Sequence, residues 1–234
     1  MAHPKVLGAL ALAALVTAAP APAGAEGAAA RERQARQALE RSRELADLLA
    51  RVGARYRAFR AFRVSFEQSF VSSAFGADEV ETGTIHVQRP RRMLWIYDAP
   101  PGRRGVFDGS DWWLVEPEER QVTRHAAGES DLVVDLLTGR LDPGQAFAID
   151  EDEDRLPADG GLRRLRLVPR EPRDDLDAVL LTLDVPRLDL REVAVIDPLG
   201  SRWVYRFGPP EPVDPLPDSA FTVEIPAGWS IVRM

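Results

Sequence analysis

Residues 83–97, GTIHVQRPRRMLWIY, constrain the fold of this chain more than any other stretch. One Arg-Pro step parts two strand-like runs. Proline has no N–H to donate and fixes its own φ, and it pushes the preceding Arg89 toward an extended backbone, so the step ends one strand without opening a helix. Counting by twos puts Ile85, Val87 and Arg89 on one face of the first strand, and Met93, Trp95 and Tyr97 on one face of the second. The expected product is a strand pair that gathers large apolar and aromatic side chains on one surface beside a single guanidinium.

The same period of two extends along the chain. Phe62, Val64, Phe66 and Phe70 alternate with Arg63, Ser65, Glu67 and Ser69, as in a half-buried strand. Further short strands are predicted at 103–107, 112–115, 121–124, 145–149, 162–168, 176–185, 190–196, 202–207 and 221–225, with Asp108-Gly109 as a hairpin turn. The Pro-rich stretch 208–217 is expected to wrap a sheet edge as a loop. Two segments keep a helical period instead. Residues 28–57 carry Leu45, Leu48, Leu49, Val52 and Tyr56 on one face, continued by Phe59. Ser130 as N-cap, Asp131 at the positive end and Gly139 as C-cap bracket a short helix whose apolar face is Leu132, Val133, Leu136 and Leu137. Many short strands with few helices predict a mainly β, α+β fold: an antiparallel meander that curls on itself.

The first 25 residues set an address. Lys5 precedes an apolar run at 6–16 and a small-residue stretch at 17–25, the pattern of a secretory signal peptide cut near Ala25 and Glu26. The run is shorter than the roughly 20 apolar residues that a membrane-spanning helix needs. A single exported domain, 26–234, is expected to follow, with its sheet and short helix inside 62–228. The chain has no cysteine, which excludes disulfides, a thiolate metal site, a catalytic thiol and a lipid-modified cysteine anchor. With 234 residues, 45% of them hydrophobic, it can bury a sizeable core. A formal charge of −7, with Lys5 its only lysine and arginines dispersed, argues against nucleic acid as a partner.

Motifs of chemistry are missing. No G-x-S-x-G, H-E-x-x-H, phosphate-binding loop or G-x-G-x-x-G occurs. His86 alternates with the apolar face and is expected to point to solvent, and His125 is expected in a turn. The acidic run 150–154 is followed by Arg155 where a calcium loop needs glycine, so it reads as a solvated loop. What remains is an excess of inward apolar and aromatic residues: Phe62, Phe66, Phe70, Met93, Trp95, Tyr97 and Trp113. From residues alone such a stripe is core packing.

A resemblance changes that weighting. The spacing G-x-I-x-V-x-R-P-x-x-M-x-W-x-Y from Gly83 to Tyr97 resembles the signature of the LolA family of periplasmic lipoprotein carriers. Asp108-Gly109-Ser110-Asp111-Trp112-Trp113 resembles the family's aspartate-glycine hairpin, and FTVEIPAG at 221–228 its closing segment, so the likeness covers about 45–228. It implies an incompletely closed antiparallel half-barrel lidded by short helices. Phe66, Met93, Trp95, Tyr97, Trp113, Leu132, Val133, Leu136 and Leu137 would then line an apolar cavity for lipoprotein acyl chains. Arg89 matches a family arginine that latches the lid backbone; from the residue alone it is equally an edge-strand arginine reaching water. Met93 stands where relatives often carry Phe. Leu94 and Ile96, often polar in relatives, are expected to be covered by the C-terminal loop. The implied partners are lipoproteins, an inner-membrane ABC-type releasing complex and an outer-membrane receptor, served by a periplasmic monomer without catalytic residues, metal or cofactor. A lipid-sensing envelope domain of related fold, or a periplasmic hydrolase, are the readings of other classes.

Overall fold

A computed structural model describes residues 25–77, 80–126, 132–140, 143–151 and 161–233. Residues 1–24 of the expected signal peptide, the expected capping residues Ser130 and Asp131, and residues 152–154 of the acidic run lie outside the described residues. The chain divides at Leu39 into two units. Residues 27–39 of the first are helical and exposed throughout, and Arg36 pairs there with Glu32 at 2.7 Å.

The second unit is built on one open, mainly antiparallel sheet that does not close into a barrel. Its principal strands are β1 (Ala61–Ser72), β2 (Gly76–Ala77), β3 (Glu81–Gln88), β4 (Arg92–Tyr97), β5 (Arg104–Phe107), β6 (Asp111–Glu116) and β7 (Gln121–Ala126), followed by β8 (Phe147–Glu151), β9 (Leu162–Pro169), β10 (Ala178–Asp184), β11 (Asp189–Ile196) and β12 (Arg202–Phe207). β13 (Glu211–Pro212) and β14 (Ser230–Arg233) are short additions. Hydrogen-bonded neighbours run β14-β7-β6-β5-β4-β3-β1-β12-β11-β10-β9-β8, so β14 and β8 end the sheet. Each strand from β4 to β7 pairs with the one before it, and so do β9 to β12. The two runs are joined by β1, which takes β3 on one side and β12 on the other.

The alternation read from sequence determines which face is covered. Phe62, Val64, Phe66, Ile85, Val87, Met93 and Trp95 are buried on the inner face together with Leu165, Leu167, Leu181 and Leu183. Leu45, Leu48, Leu49, Val52 and Tyr56 of α1 (Ala25–Ala58) pack into that same core, because they recur at helical spacing on one side. The Tyr56 hydroxyl accepts a hydrogen bond from the N–H of Leu190 at 3.1 Å, and burial pushes its pKa up to about 12. Gly83 belongs here by necessity: a Cβ at this point of β3 would overlap the carbonyl oxygen of Ile96 and press on the Phe66 ring.

The outer face has a smaller core of its own. Leu94, Val106 and Phe221 are buried there, with Trp113, Leu216, Ala220 and Val223 packed against them. Leu94 is therefore covered by the C-terminal segment as expected, whereas Ile96 stays 44% exposed.

Several expectations are corrected. The stretch 221–225 is no strand: a 3-10 turn at Asp218–Phe221 drops Phe221 onto the outer face, and the last strand is β14, parallel to β7. Residues 208–217 do not wrap an edge. Their Glu211–Pro212 pairs with Arg63 and Phe62 of β1, where β12 has already diverged from it. A one-turn helix, α3 (Pro143–Ala146), precedes β8 where the strand was expected to begin at 145. His86 is half-buried, not solvent-facing, and burial, followed by the nearby Arg63, lowers its pKa.

Candidate functional site: an apolar cleft with a latched helix

The inner face deepens from β3 and β4 toward β12. Phe66 lies 4.8 Å from the Trp95 ring and 5.4 Å from that of Tyr97, and Trp95 also meets Trp112 and Tyr205 edge to face. The Trp95 indole N–H is buried with no acceptor among the described residues. Burial pushes the Tyr97 hydroxyl up to about 12, and Arg103 lies over its ring at 4.4 Å.

α2 (Leu132–Leu137) lies across this face. Val134 and Leu137, three apart, are fully buried, while Leu132, Val133 and Leu136 are partly buried against the core. The helix ends in a Schellman arrangement. The N–H of Arg140 donates to the carbonyl of Asp135, that of Gly139 to Leu136, and Gly139 adopts φ +67.

The C-terminal ends of α1 and α2 meet, and arginines fill the junction. Arg89 donates from Nε to the carbonyl of Phe59 at 3.1 Å, and from Nη2 to those of Tyr56 at 3.1 Å and Thr138 at 3.2 Å. Arg57 donates to the carbonyl of Gly139. These are carbonyls that a helix leaves without intrahelical partners, at the negative end of its dipole, and cations suit them. Burial lowers the pKa of Arg89, with smaller contributions from Arg57 and Arg140. Arg91 adds a longer contact to Asp135 of α2, at 3.6 Å.

Beside the other end of α2 the interior opens. A cleft of about 280 Å³ is lined by Leu132, Val133, Phe147, Leu176, Val195, Trp203 and Tyr205, with the Arg173–Asp175 ion pair among its polar residues. Its wall residues are mainly apolar apart from Arg173 and Asp175, and α2, which contributes Leu132 and Val133, is anchored by two buried side chains and a few bonds to carbonyls.

Of the residues singled out from sequence, Phe66, Met93, Trp95 and Leu137 are buried on the inner face, and Tyr97, Leu132, Val133 and Leu136 pack partly buried against it. Arg89 stands at the helix junction. Trp113 does not belong with them. Its partner across the hairpin is Val106, an outer-face residue, so it packs into the outer core, donates from Nε1 to Asp108 at 2.9 Å and lies under Arg124. Trp112, opposite Phe107, is the inward one. Carrying the alternation of β5 across the Asp108-Gly109 turn would have identified it. Val134, Val195, Trp203, Tyr205 and Arg57 were also missed. Tyr205 and Trp203 lie two apart in β12, a period that the sequence does display.

A family model described as outer membrane lipoprotein carrier protein LolA matches residues 57–224. The chain is similar to the outer-membrane lipoprotein carrier protein of Methylibium petroleiphilum, 26% identical over 170 residues that cover 73% of this chain and 81% of that one. It is similar also to that of Bordetella bronchiseptica, 30% identical over 176 residues covering 73% and 79%. A solved LolA superfamily protein from Nitrosomonas europaea aligns with a TM-score of 0.42 at 13% identity, over 76% of this chain and 97% of its own.

Proposed function

The chain belongs to the LolA family of outer membrane lipoprotein carrier proteins, and from that premise we propose that it carries lipoproteins across the periplasm, holding their acyl chains in the cleft beneath α2. The observation that carries this reading is the Arg89 junction, which ties the end of a small helix over an apolar interior through hydrogen bonds to backbone carbonyls. An acyl chain in water costs about 0.8 kcal/mol per CH₂, so a chain of about 15 methylenes costs roughly 12 kcal/mol. A carrier must bury it and still release it. Breaking the charge-assisted bonds from Arg89 to Thr138 and from Arg57 to Gly139 and lifting two side chains is a reversible opening; unpacking a sealed core is not.

In this reading Trp203, Tyr205, Val195, Leu132 and Val133 meet the chain first, and Phe66, Met93 and Trp95 line its deeper course once α2 lifts. The unpartnered Trp95 N–H offers a donor to an ester or amide carbonyl of the lipid. Met93 adapts its thioether to chains that differ in detail. Loading would come from an inner-membrane ABC-type releasing complex and delivery would go to an outer-membrane receptor, with the carrier acting as a monomer that performs no chemical step. Among the described residues no helix is long and apolar enough to cross a membrane. Export by the signal peptide at 1–25, cut near Glu26, brings the chain to the periplasm.

Mass spectrometry of what co-purifies with the protein from the periplasm tests the reading. Acylated protein should be recovered with it. Free phospholipid alone would favour a lipid-sensing role, and no apolar companion at all would contradict both.

A further inference from the structure

Two turns at one end of the sheet each hold a large apolar side chain out in solvent. Phe75, in the turn after β1, is 94% exposed, and Leu199, between β11 and β12, is 82% exposed. Neither turn is loose. Ser72 Oγ accepts the N–H groups of Ala74 and Phe75, and Asp197 Oδ1 accepts those of Leu199 and Ser201 at 2.9 Å each. Gly200 takes the left-handed conformation at φ +84 that completes the second turn. The turns are also tied to each other, because the N–H of Ser73 donates to the buried Ser201 Oγ at 3.2 Å.

An isolated exposed apolar residue needs no explanation, but this pair continues an apolar path. Trp203, 44% exposed, lies one residue beyond Arg202 at the start of β12 and faces Phe70 across the β1–β12 pairing, their rings 4.9 Å apart. Trp203 lines the cleft beneath α2, and also a groove that it shares with Phe70 and the half-exposed Val80. Apolar residues therefore lead from the cleft over Trp203 and Phe70 toward the end of the sheet whose turns bear Phe75 and Leu199, with Ser72, Ser73, Ser201 and Arg202 in between.

We propose that this rim docks on a lipid bilayer, with Phe75 and Leu199 entering the boundary between headgroups and acyl chains so that the mouth of the cleft faces the membrane. The proposal rests on the carrier reading, and it adds to the handovers named there a surface that brings the cleft up to the bilayer while they take place. A lipid surface fits better than a protein groove. The two side chains are convex points set among Ser72, Ser73, Ala74, Gly76, Gly200 and Ser201, which offer no apolar wall around them. A fluid interface takes such points without a matching pocket.

Flotation with protein-free vesicles of phosphatidylethanolamine and phosphatidylglycerol tests this. Phe75→Ser and Leu199→Ser should each weaken partition about tenfold, and the pair about a hundredfold, with no change in melting temperature, since neither side chain packs on anything. Because the chain lacks cysteine, a single Phe75→Cys can carry an environment-sensitive fluorophore, whose emission should shift to the blue on the vesicles. The same label at Arg187→Cys, in the turn at the other end of β11, should not shift. Failure of the unaltered protein to float, equal flotation of the double variant, or equal shifts at the two labels would overturn the proposal. The carrier reading is judged apart from it, by binding of an apolar probe in the cleft, which the tip substitutions should leave unchanged.

Discussion

Arg89→Leu should leave loading of acylated cargo intact or improved while cutting its delivery to acceptor membranes about tenfold or more. The guanidinium holds the carbonyl of Thr138 in α2 and the carbonyls of Tyr56 and Phe59 at the end of α1. A hydrogen bond from a charged group contributes about 1.5–3 kcal/mol, so its loss moves the lid toward open by about ten- to a hundredfold. An easily opened lid admits acyl chains. Release is different, because closure of the lid is what displaces them, and closure is the step the substitution weakens. Arg89→Lys keeps the charge and loses the fork that reaches two helix ends at once, so it should fall between the two. The check is to measure cargo held by the soluble carrier and cargo passed to acceptor membranes separately. Equal losses in both, tracking a lower melting temperature, would reduce Arg89 to an edge-strand residue.

Gly139→Ala should undock α2 while sparing the sheet. Gly139 adopts φ +67, where a side chain costs roughly 1–2 kcal/mol, and an added Cβ would overlap the carbonyl oxygen of Gly53 in α1. That oxygen is backbone and cannot swing aside, so the helices must part, and the bonds from Arg57 and Arg89 to α2 part with them. The amides of Thr138, Gly139 and Arg140, which donate within the helix end, should lose hydrogen-exchange protection by about a hundredfold, as expected for a local opening eased by about 3 kcal/mol. Amides of β10 and β11 should keep theirs. Gly139→Asn tolerates the backbone conformation but not the overlap, and should behave like alanine. Gly53→Ala meets the flexible end of Arg57 at 3.1 Å and the carbonyl oxygen of Gly139 at 3.4 Å, an ordinary contact distance, and should be mild. Uniform loss across the sheet, or no loss at residues 138–140, would show that α2 is not a separately held lid.

How much of this was legible in the sequence follows from which interactions decide each element. β1 and β3 could be read because one face of each is buried, so the pleat is written as alternation from Phe62 to Phe66 and from Ile85 to Val87, whereas β4 is buried on both faces at Met93, Leu94 and Trp95 and shows a continuous apolar run. The open sheet followed from that alternation together with the family resemblance, and the short helix α2 from its helical spacing. Trp112 and Trp113 exposed the weakness of the method: adjacent large aromatics both look inward, and only the register across the Asp108-Gly109 turn separates them. In α2 the sequence offers five apolar residues in six, and which of them turns in is set by the Schellman end against α1, so Val134 was overlooked. The C-terminal segment was misread for a related reason. Phe221 and Val223 alternate like a strand, but they cover Leu94 and Val106 on the outer face, where packing replaces pairing. Arg57 gives no signal of its own, since one more arginine on a helix rich in them is distinguished only by the carbonyl it reaches.

The central claim is that the interior beneath α2 takes acyl chains, and competition for that cleft tests it most directly. An apolar fluorescent probe bound to the purified protein should be displaced at a single site by a diacylated peptide and left in place by the same peptide without its acyl chains. A probe that does not bind, or that both peptides displace equally, would mean that the inner face is a sealed core and would contradict the account.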